Sequence, residues 1–117
     1  MFKVGVIDLP WKFNDKLPGK GRGAEKHYSC MTFDQMKNLE LPKFEDNSIL
    51  FMWRVASMQM EALELMRAYG FTLKSEIVWI KGKKNQPTIK GPEDLAFGMG
   101  HYTRAAHEVC LIGVRGK

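Results

Sequence analysis

An apolar run, an amphipathic helix and a second apolar run follow one another between residues 48 and 81, and this order limits the fold most. Residues 48–53 read Ser-Ile-Leu-Phe-Met-Trp, which indicates a buried strand. From a cap at Ser57 to a stop at Gly70, apolar side chains recur at helical spacing. A further strand is expected near residues 76–81. Such a crossover favours a parallel sheet. The helical stripe consists of Met58, Ala62, Leu65, Met66 and Tyr69.

The rest of the chain extends this unit into one α/β domain. A length of 117 residues is enough for one domain with one core. We predict a mostly parallel sheet, and in open α/β sheets ligands bind beyond the carboxyl ends of the strands. The other expected elements are a strand at residues 2–8, a helix at residues 33–39 capped by Thr32, a strand at residues 107–114, and long loops at residues 12–30 and 82–100.

The composition favours an intracellular protein, and its charge favours an anionic partner. The net charge is +5, and nucleic acid is the commonest partner of a basic protein, although a basic protein without such a partner fits equally. Cys30 and Cys110 are too far apart in sequence to indicate a zinc motif or a disulfide framework, and Cys110 is expected in the core. Neither a signal peptide nor a membrane span is expected. With three scattered histidines, no metal site is expected either.

The end of the first strand carries a chemically specific motif, Asp8-Leu9-Pro10-Trp11. The Asp8 carboxylate and the Leu9 carbonyl can both accept hydrogen bonds from an exocyclic amine. Pro10 keeps Leu9 out of the α region and so restricts the direction of that carbonyl. The Trp11 ring can stack on the face of a base. Taken alone, Asp8 would be interpreted first as an ordinary polar residue at the end of a strand, but Pro10 and Trp11 beside it favour a binding site. The motif therefore suggests a site for a base with an amino group.

Three further stretches follow in order, and with the first they resemble a family. They are residues 23–32, with Gly-Ala-Glu-Lys-His-Tyr and Met-Thr; residues 50–81, with Leu-Phe-Met-Trp and Val-Trp-Ile-Lys; and residues 98–116, with Gly-Met-Gly-His-Tyr, His-Glu and Gly-Val-Arg-Gly. Each is weak alone. Together they resemble the adenine-N6 methyltransferases that include the 70-kilodalton catalytic subunit of the mRNA methyltransferase and its bacterial and phage relatives. The resemblance covers residues 4–117.

The resemblance implies a Rossmann-like fold and methyl transfer from S-adenosylmethionine to the N6 amine of adenine in nucleic acid, with DNA favoured. It places Asp8, Leu9, Pro10 and Trp11 at the catalytic centre, with Asp8 also facing the cofactor. Trp53 and Trp79, which lie within apolar runs, are expected in the core instead. The residues expected to contact the substrate are Tyr28, Lys26, His27, Arg22, His101, Arg104 and Glu108.

Two departures from the family pattern leave alternatives open. Leu9 replaces a proline of the family, so the loop loses one rigid residue. The family segment that supplies most contacts to the methyl donor follows the position of Gly116 and has no counterpart here, so the chain resembles the base-binding half. The chain fits a fragment, a split subunit or an inactive copy. An apolar face left exposed where the missing half would pack favours a homodimer or a heterodimer. A cytoplasmic protein of bacterial or phage origin is expected. A plain basic nucleic-acid binder is the remaining alternative.

Overall fold

The described part of the computed structural model comprises residues 1–11, 30–85, 88–98, 102 and 105–117. The order of elements matches the predicted one, strand, short helix, strand, long helix, strand, strand. The strands are β1 (Phe2–Ile7), β2 (Phe44–Arg54), β3 (Thr72–Ile80) and β4 (His107–Arg115), the helices are α1 (Phe33–Lys37) and α2 (Gln59–Ala68), and single 3-10 turns occupy Ala56–Met58 and Pro92–Asp94.

The four strands form a mixed sheet in the order β1-β2-β4-β3. The α/β class is confirmed, but the expectation of a mostly parallel sheet is wrong for this sheet. Only β1 and β2 pair in parallel, and β4 runs antiparallel to both of its neighbours. The reason is that β2 and β3 run in the same direction without touching. The chain turns back at the carboxyl end of β3, and β4 then fills the space between them.

The core lies on one face of the sheet, beneath both helices. Alternate residues of β2 face it, because Leu50 and Met52 are buried while the residues between them are partly exposed. The predicted stripe of α2 supplies Ala62, Leu65, Met66 and Tyr69 to this core, which confirms the buried face of the helix. The remaining members include Met36 from α1 and Val109 and Leu111 from β4.

No helix of the described residues packs on the opposite face of the sheet, which we call the open face. It is formed by Val4, Val6, Phe51, Trp53, Ile77 and Trp79, as the strand registers show. Val6 is 70% exposed and Trp79 is 53% exposed. The expectation that Trp79 lies in the core is therefore wrong. Every residue of β3 is exposed, in keeping with its position as an edge strand, and none of them belongs to the core cluster.

Several element boundaries differ from those expected. Helix α2 has Met58 as its amino-terminal cap and no side-chain capping bond, because a 3-10 turn at Ala56–Met58 takes up Ser57. Strand β2 begins at Phe44, before the polar residues Asp46 and Asn47. The Thr32 cap of α1 is confirmed, and Gln35 completes a capping box with it.

Candidate functional site

Asp8 directly follows β1 at the carboxyl edge of the sheet. Ile7 pairs with Met52, so the register brings Asp8 level with Trp53 near the end of β2. The residue is exposed. Its carboxylate has no hydrogen-bond or ion-pair partner among the residues that the structure describes. The carboxylate is therefore available to a ligand at the edge where open α/β sheets bind their ligands.

The main chain after Asp8 forms a tight turn that directs the Leu9 carbonyl. The Trp11 amide donates a hydrogen bond to the Leu9 oxygen at 2.9 Å, and the Met31 amide donates to the Pro10 oxygen at 2.9 Å. Trp11 and Met31 also form an isolated parallel bridge. A carbonyl oxygen has two lone pairs, so the Leu9 oxygen keeps one acceptor position after bonding Trp11. The turn thus places two acceptors, Asp8 and Leu9, on adjacent residues.

Trp11 does not offer the open ring that its sequence context suggests. The residue is only 3% exposed and belongs to the core cluster together with Leu9. Its indole Nε1 is buried and has no hydrogen-bond partner within the described ranges. The expectation of a free stacking platform at Trp11 is corrected by this burial. The core cluster that contains Trp11 also contains Met36 of α1 and Leu65 of α2, so the ring belongs to the packed interior.

Cys110 lies close to Asp8 and shows the electrostatic effect of the carboxylate. The thiol is buried, as expected for a core residue, on β4 opposite Trp53. Burial raises the pKa of Cys110, and the negative charge of Asp8 raises it further. The thiol therefore stays protonated at neutral pH. A protonated, buried thiol is a poor nucleophile.

Glu108 is the second residue of β4 and lies at the same edge of the sheet as Asp8. It pairs with Trp79 across the strands, on the side of the sheet that Cys110 also faces. Two strand spacings separate β4 from β1, which is roughly 10 Å. The Glu108 carboxylate forms an ion pair with Lys81 at 2.7 Å. The structure thus brings two of the predicted site residues, Asp8 and Glu108, to one edge.

Two residues that the sequence did not assign to the site join this group. The Lys81 ammonium lies 5.5 Å from the centre of the Trp79 ring, and the Trp79 ring lies 6.0 Å from that of Trp53 in an edge-to-face arrangement. Lys81 and Trp79 are alternate residues at the end of a strand, so they share a face. The alternate spacing of Trp79 and Lys81 could have indicated from the sequence that they share a face, but the apolar residues around Trp79 favoured a core position.

The other predicted substrate contacts, which are Arg22, Lys26, His27, Tyr28, His101 and Arg104, lie outside the described residues. Within the described ranges, no group of three or more histidine, cysteine or acidic residues could hold a metal ion. None of the helices described is long and apolar enough to cross a bilayer.

Asp8 does not line either of two grooves that described residues form on this sheet. One lies at the opposite edge, between Met1, Lys3 and the start of β2. The other lies on the helix-covered face near Arg54. Asp8 can supply one carboxylate contact to a bound cofactor, and further contacts have to come from other residues.

Comparison with known proteins identifies relatives over nearly the whole chain. Human N(6)-adenosine-methyltransferase catalytic subunit METTL3 is 29% identical over 115 residues, which cover 98% of this chain and 17% of the human protein. The Arabidopsis thaliana N(6)-adenosine-methyltransferase MT-A70-like is 29% identical over 118 residues, covering 98% of this chain and 15% of the plant protein. The chain thus spans less than a fifth of the length of these relatives.

These relatives are eukaryotic, so they do not support the expected bacterial or phage origin. The resemblance read from the four motifs is confirmed, because the MT-A70 family model matches residues 2–117. The chain belongs to the MT-A70 family.

Proposed function

We propose that this chain forms the base-binding part of an adenine-N6 methyltransferase that acts on nucleic acid. The observation that carries the proposal is the exposed Asp8 carboxylate, which has no partner among the described residues, next to the Leu9 carbonyl, whose oxygen keeps a second lone pair after its bond from Trp11. Family membership supports it, since the relatives named above are N(6)-adenosine-methyltransferases. The net charge of +5 agrees with a polyanionic substrate.

The two acceptors suit the N6 amine of adenine. This nitrogen is a weak nucleophile because its lone pair is delocalised into the ring. Asp8 and the Leu9 carbonyl would each accept one of its two hydrogens, which favours a pyramidal nitrogen with an available lone pair. Fixed acceptors of this kind stabilise a charge distribution that develops in the transition state, so preorganisation matters more than base strength.

The turn compensates for the leucine at position 9. The family proline would restrict that residue directly, whereas here the hydrogen bond from the Trp11 amide holds the Leu9 oxygen at 2.9 Å. Pro10 still restrains Leu9 from the carboxyl side. The carbonyl direction is therefore set by one covalent restraint and one hydrogen bond. We expect the geometry to be softer than with two prolines but still suited to an amine.

Stacking of the base would involve the open face. Trp11 is buried, while Trp79 is exposed and lies near the same edge with Trp53 and Lys81. An aromatic ring contributes about 1–3 kcal/mol per stacked base. The Glu108–Lys81 ion pair would border this surface.

S-adenosylmethionine is the proposed methyl donor, and it would supply an activated methyl group on its sulfonium. The described residues give it only the Asp8 contact. We therefore propose that the donor site is completed by another segment or by a partner subunit, in keeping with the small fraction of the relatives that the chain matches. A homodimer and a heterodimer both fit this requirement.

The test is transfer of a radiolabelled methyl group to single-stranded oligonucleotides that contain adenine. Asp8→Ala should lower the rate by more than about 100-fold, because one of the two acceptors for the amine is lost. Binding of the oligonucleotide should weaken by no more than about tenfold, since phosphate contacts dominate affinity. Parallel assays with DNA and RNA oligonucleotides decide between DNA, which was expected from the resemblance, and a substrate that contains adenosine, which the names of the relatives specify.

Asp46→Ala is the matched control, because Asp46 is also exposed and lies at the opposite end of β2. It should leave the rate of methyl transfer unchanged. Full activity of the Asp8 variant would reject the role of Asp8.

A non-catalytic subunit that binds nucleic acid or a partner is the second candidate. The burial of Trp11 and the absence of Asp8 from the lining of both grooves described above favour it. Titration calorimetry with S-adenosylmethionine separates the two. Undetectable binding at millimolar donor, alone and with added nucleic acid, would favour the non-catalytic subunit.

A further inference from the structure

A groove of about 630 Å³ runs along the helix-covered face of the sheet. Its floor follows the strand register, since Arg54 and Val78 both pair with Val109 and so form one row across three strands. His107 and Ile80 form the next row. The remaining lining residues are Glu76 and, from the segment between β3 and β4, Leu95, Phe97, Ala105 and Ala106.

This groove opens at the edge of the sheet that carries Asp8. Arg54 is the last residue of β2, and Asp8 is level with the residue before it, Trp53. Side chains of adjacent strand residues point to opposite faces. Asp8 and Arg54 therefore flank the same edge from its two sides. A chain molecule that places one unit at Asp8 can cross the edge and place the next unit in the groove.

Arg54 places a positive charge in the lining of the groove. Among the described residues, its buried Nε has no hydrogen-bond partner and no ion pair includes Arg54. Of the lining residues that the structure describes, Glu76 alone carries a carboxylate, and it lies two strands away on β3. A partly buried guanidinium without a partner is a strong recognition group for a phosphate, which it can bind through two parallel hydrogen bonds.

The rest of the groove suits an aromatic base. Phe97 is 51% exposed, and the side chains of Val78 and Ile80 below it are exposed as well. Bases of single-stranded nucleic acid stack on such rings without regard to sequence. A site that combines an apolar surface with one well-placed charged group is typical of small-molecule and nucleotide pockets.

We propose that this groove binds the nucleotide next to the target adenine in a single strand, with its phosphate on Arg54 and its base on Phe97. The identity of the target base rests on the proposed function. Binding in the groove does not, because it needs neither the methyl donor nor Asp8.

The first experiment measures binding of a short fluorescein-labelled single strand by anisotropy, without methyl donor, over a range of salt concentrations. Arg54→Met should raise the dissociation constant about fivefold to tenfold and lower the slope of log affinity against log salt by about 0.7, the value for one lost phosphate contact. Arg67→Met is the control, because Arg67 is exposed in the last turn of α2 and its loss removes the same charge. It should keep the slope.

The second experiment tests the stacking surface. Phe97→Ala should weaken binding at least about fivefold without changing the salt slope. Phe2→Ala, which removes an exposed phenyl ring from β1, should change little. Phe97 lies in an exposed segment, so this variant keeps the test valid even if Arg54→Met unfolds.

Equal weakening by Arg54→Met and Arg67→Met, or unchanged affinity in both groove variants, would overturn the groove as a nucleotide site. Because these measurements use no methyl donor, a chain that fails to methylate adenine can still confirm the groove. Loss of the groove effect likewise leaves the Asp8 experiment unaffected.

Discussion

At the scale of single residues, Asp8 is an acid held where few side chains can neutralise it. It sits beyond the end of β1, and the nearest titratable group that responds to it is the thiol of Cys110. The effect on Cys110 reports the charge of Asp8 without any ligand. Cys110 binds its proton more tightly in the folded chain than in the unfolded one. Its contribution to stability is therefore complete below the unfolded pKa and is lost as pH rises through the folded pKa.

The Asp8→Asn variant should lower the pKa of Cys110, because the neighbouring negative charge is removed. The pKa should stay above its ordinary range, since burial, the larger cause, remains. Titration of the cysteine 13Cβ chemical shifts by NMR measures this directly. An unchanged Cys110 midpoint would contradict the placement of Asp8 beside the thiol.

The position of Asp8 at the edge of the sheet could be predicted from sequence, whereas the burial of Trp11 could not. An apolar run marks a strand and its end, so an acid after it falls at the edge of the sheet. The burial of Trp11 depends on a bridge to Met31 and on packing with both helices, and these contacts are remote in sequence. Local patterns carry no information about such contacts.

At the scale of elements, a single hydrogen bond ties the two helices together. The hydroxyl of Tyr69, at the end of α2, donates to the main-chain oxygen of Met36 in α1, and both residues are buried. Burial also raises the pKa of Tyr69. Helix α1 has only five residues, too few to be stable without such tertiary contacts. This bond therefore helps to position the segment that follows Met31 and, with it, the turn at Pro10.

Tyr69→Phe should lower the free energy of unfolding by about 1–3 kcal/mol, because the Met36 carbonyl loses its partner while the ring still packs. Urea unfolding followed by circular dichroism measures the change. Tyr102→Phe removes a hydroxyl from a fully exposed side chain and should change stability by less than about 0.5 kcal/mol. Equal effects of the two substitutions would argue against a clamp between the helices.

The order of elements was predictable because each helix and strand has its own periodicity, but the pairing of the strands was not. The same crossover between β2 and β3 fits a sheet in which these strands are neighbours and one in which a later strand separates them. Only the return of the chain after β3 decides between them, and nothing in the local sequence of β4 records its direction.

At the scale of the whole molecule, the two faces of the sheet differ sharply. One face carries both helices and the core, while the open face presents Val4, Val6, Ile77 and Trp79. The candidate site lies where both faces meet the carboxyl edge, with Asp8 and Glu108 on one side and Arg54 on the other. Under the proposals made above, this one edge would hold a target base and its neighbour at the same time, while the open face stays accessible to further protein.

The most direct measurement compares the affinity of the chain for two single strands that differ at one position. One strand carries adenine there, and the other carries unsubstituted purine, which lacks the amino group. Two acceptors that hold the N6 hydrogens predict about tenfold tighter binding of the adenine strand by the wild-type chain, and a ratio close to one for Asp8→Ala. An equal affinity of the wild-type chain for both strands, or a preference that survives in Asp8→Ala, would contradict the claim that Asp8 holds the amine.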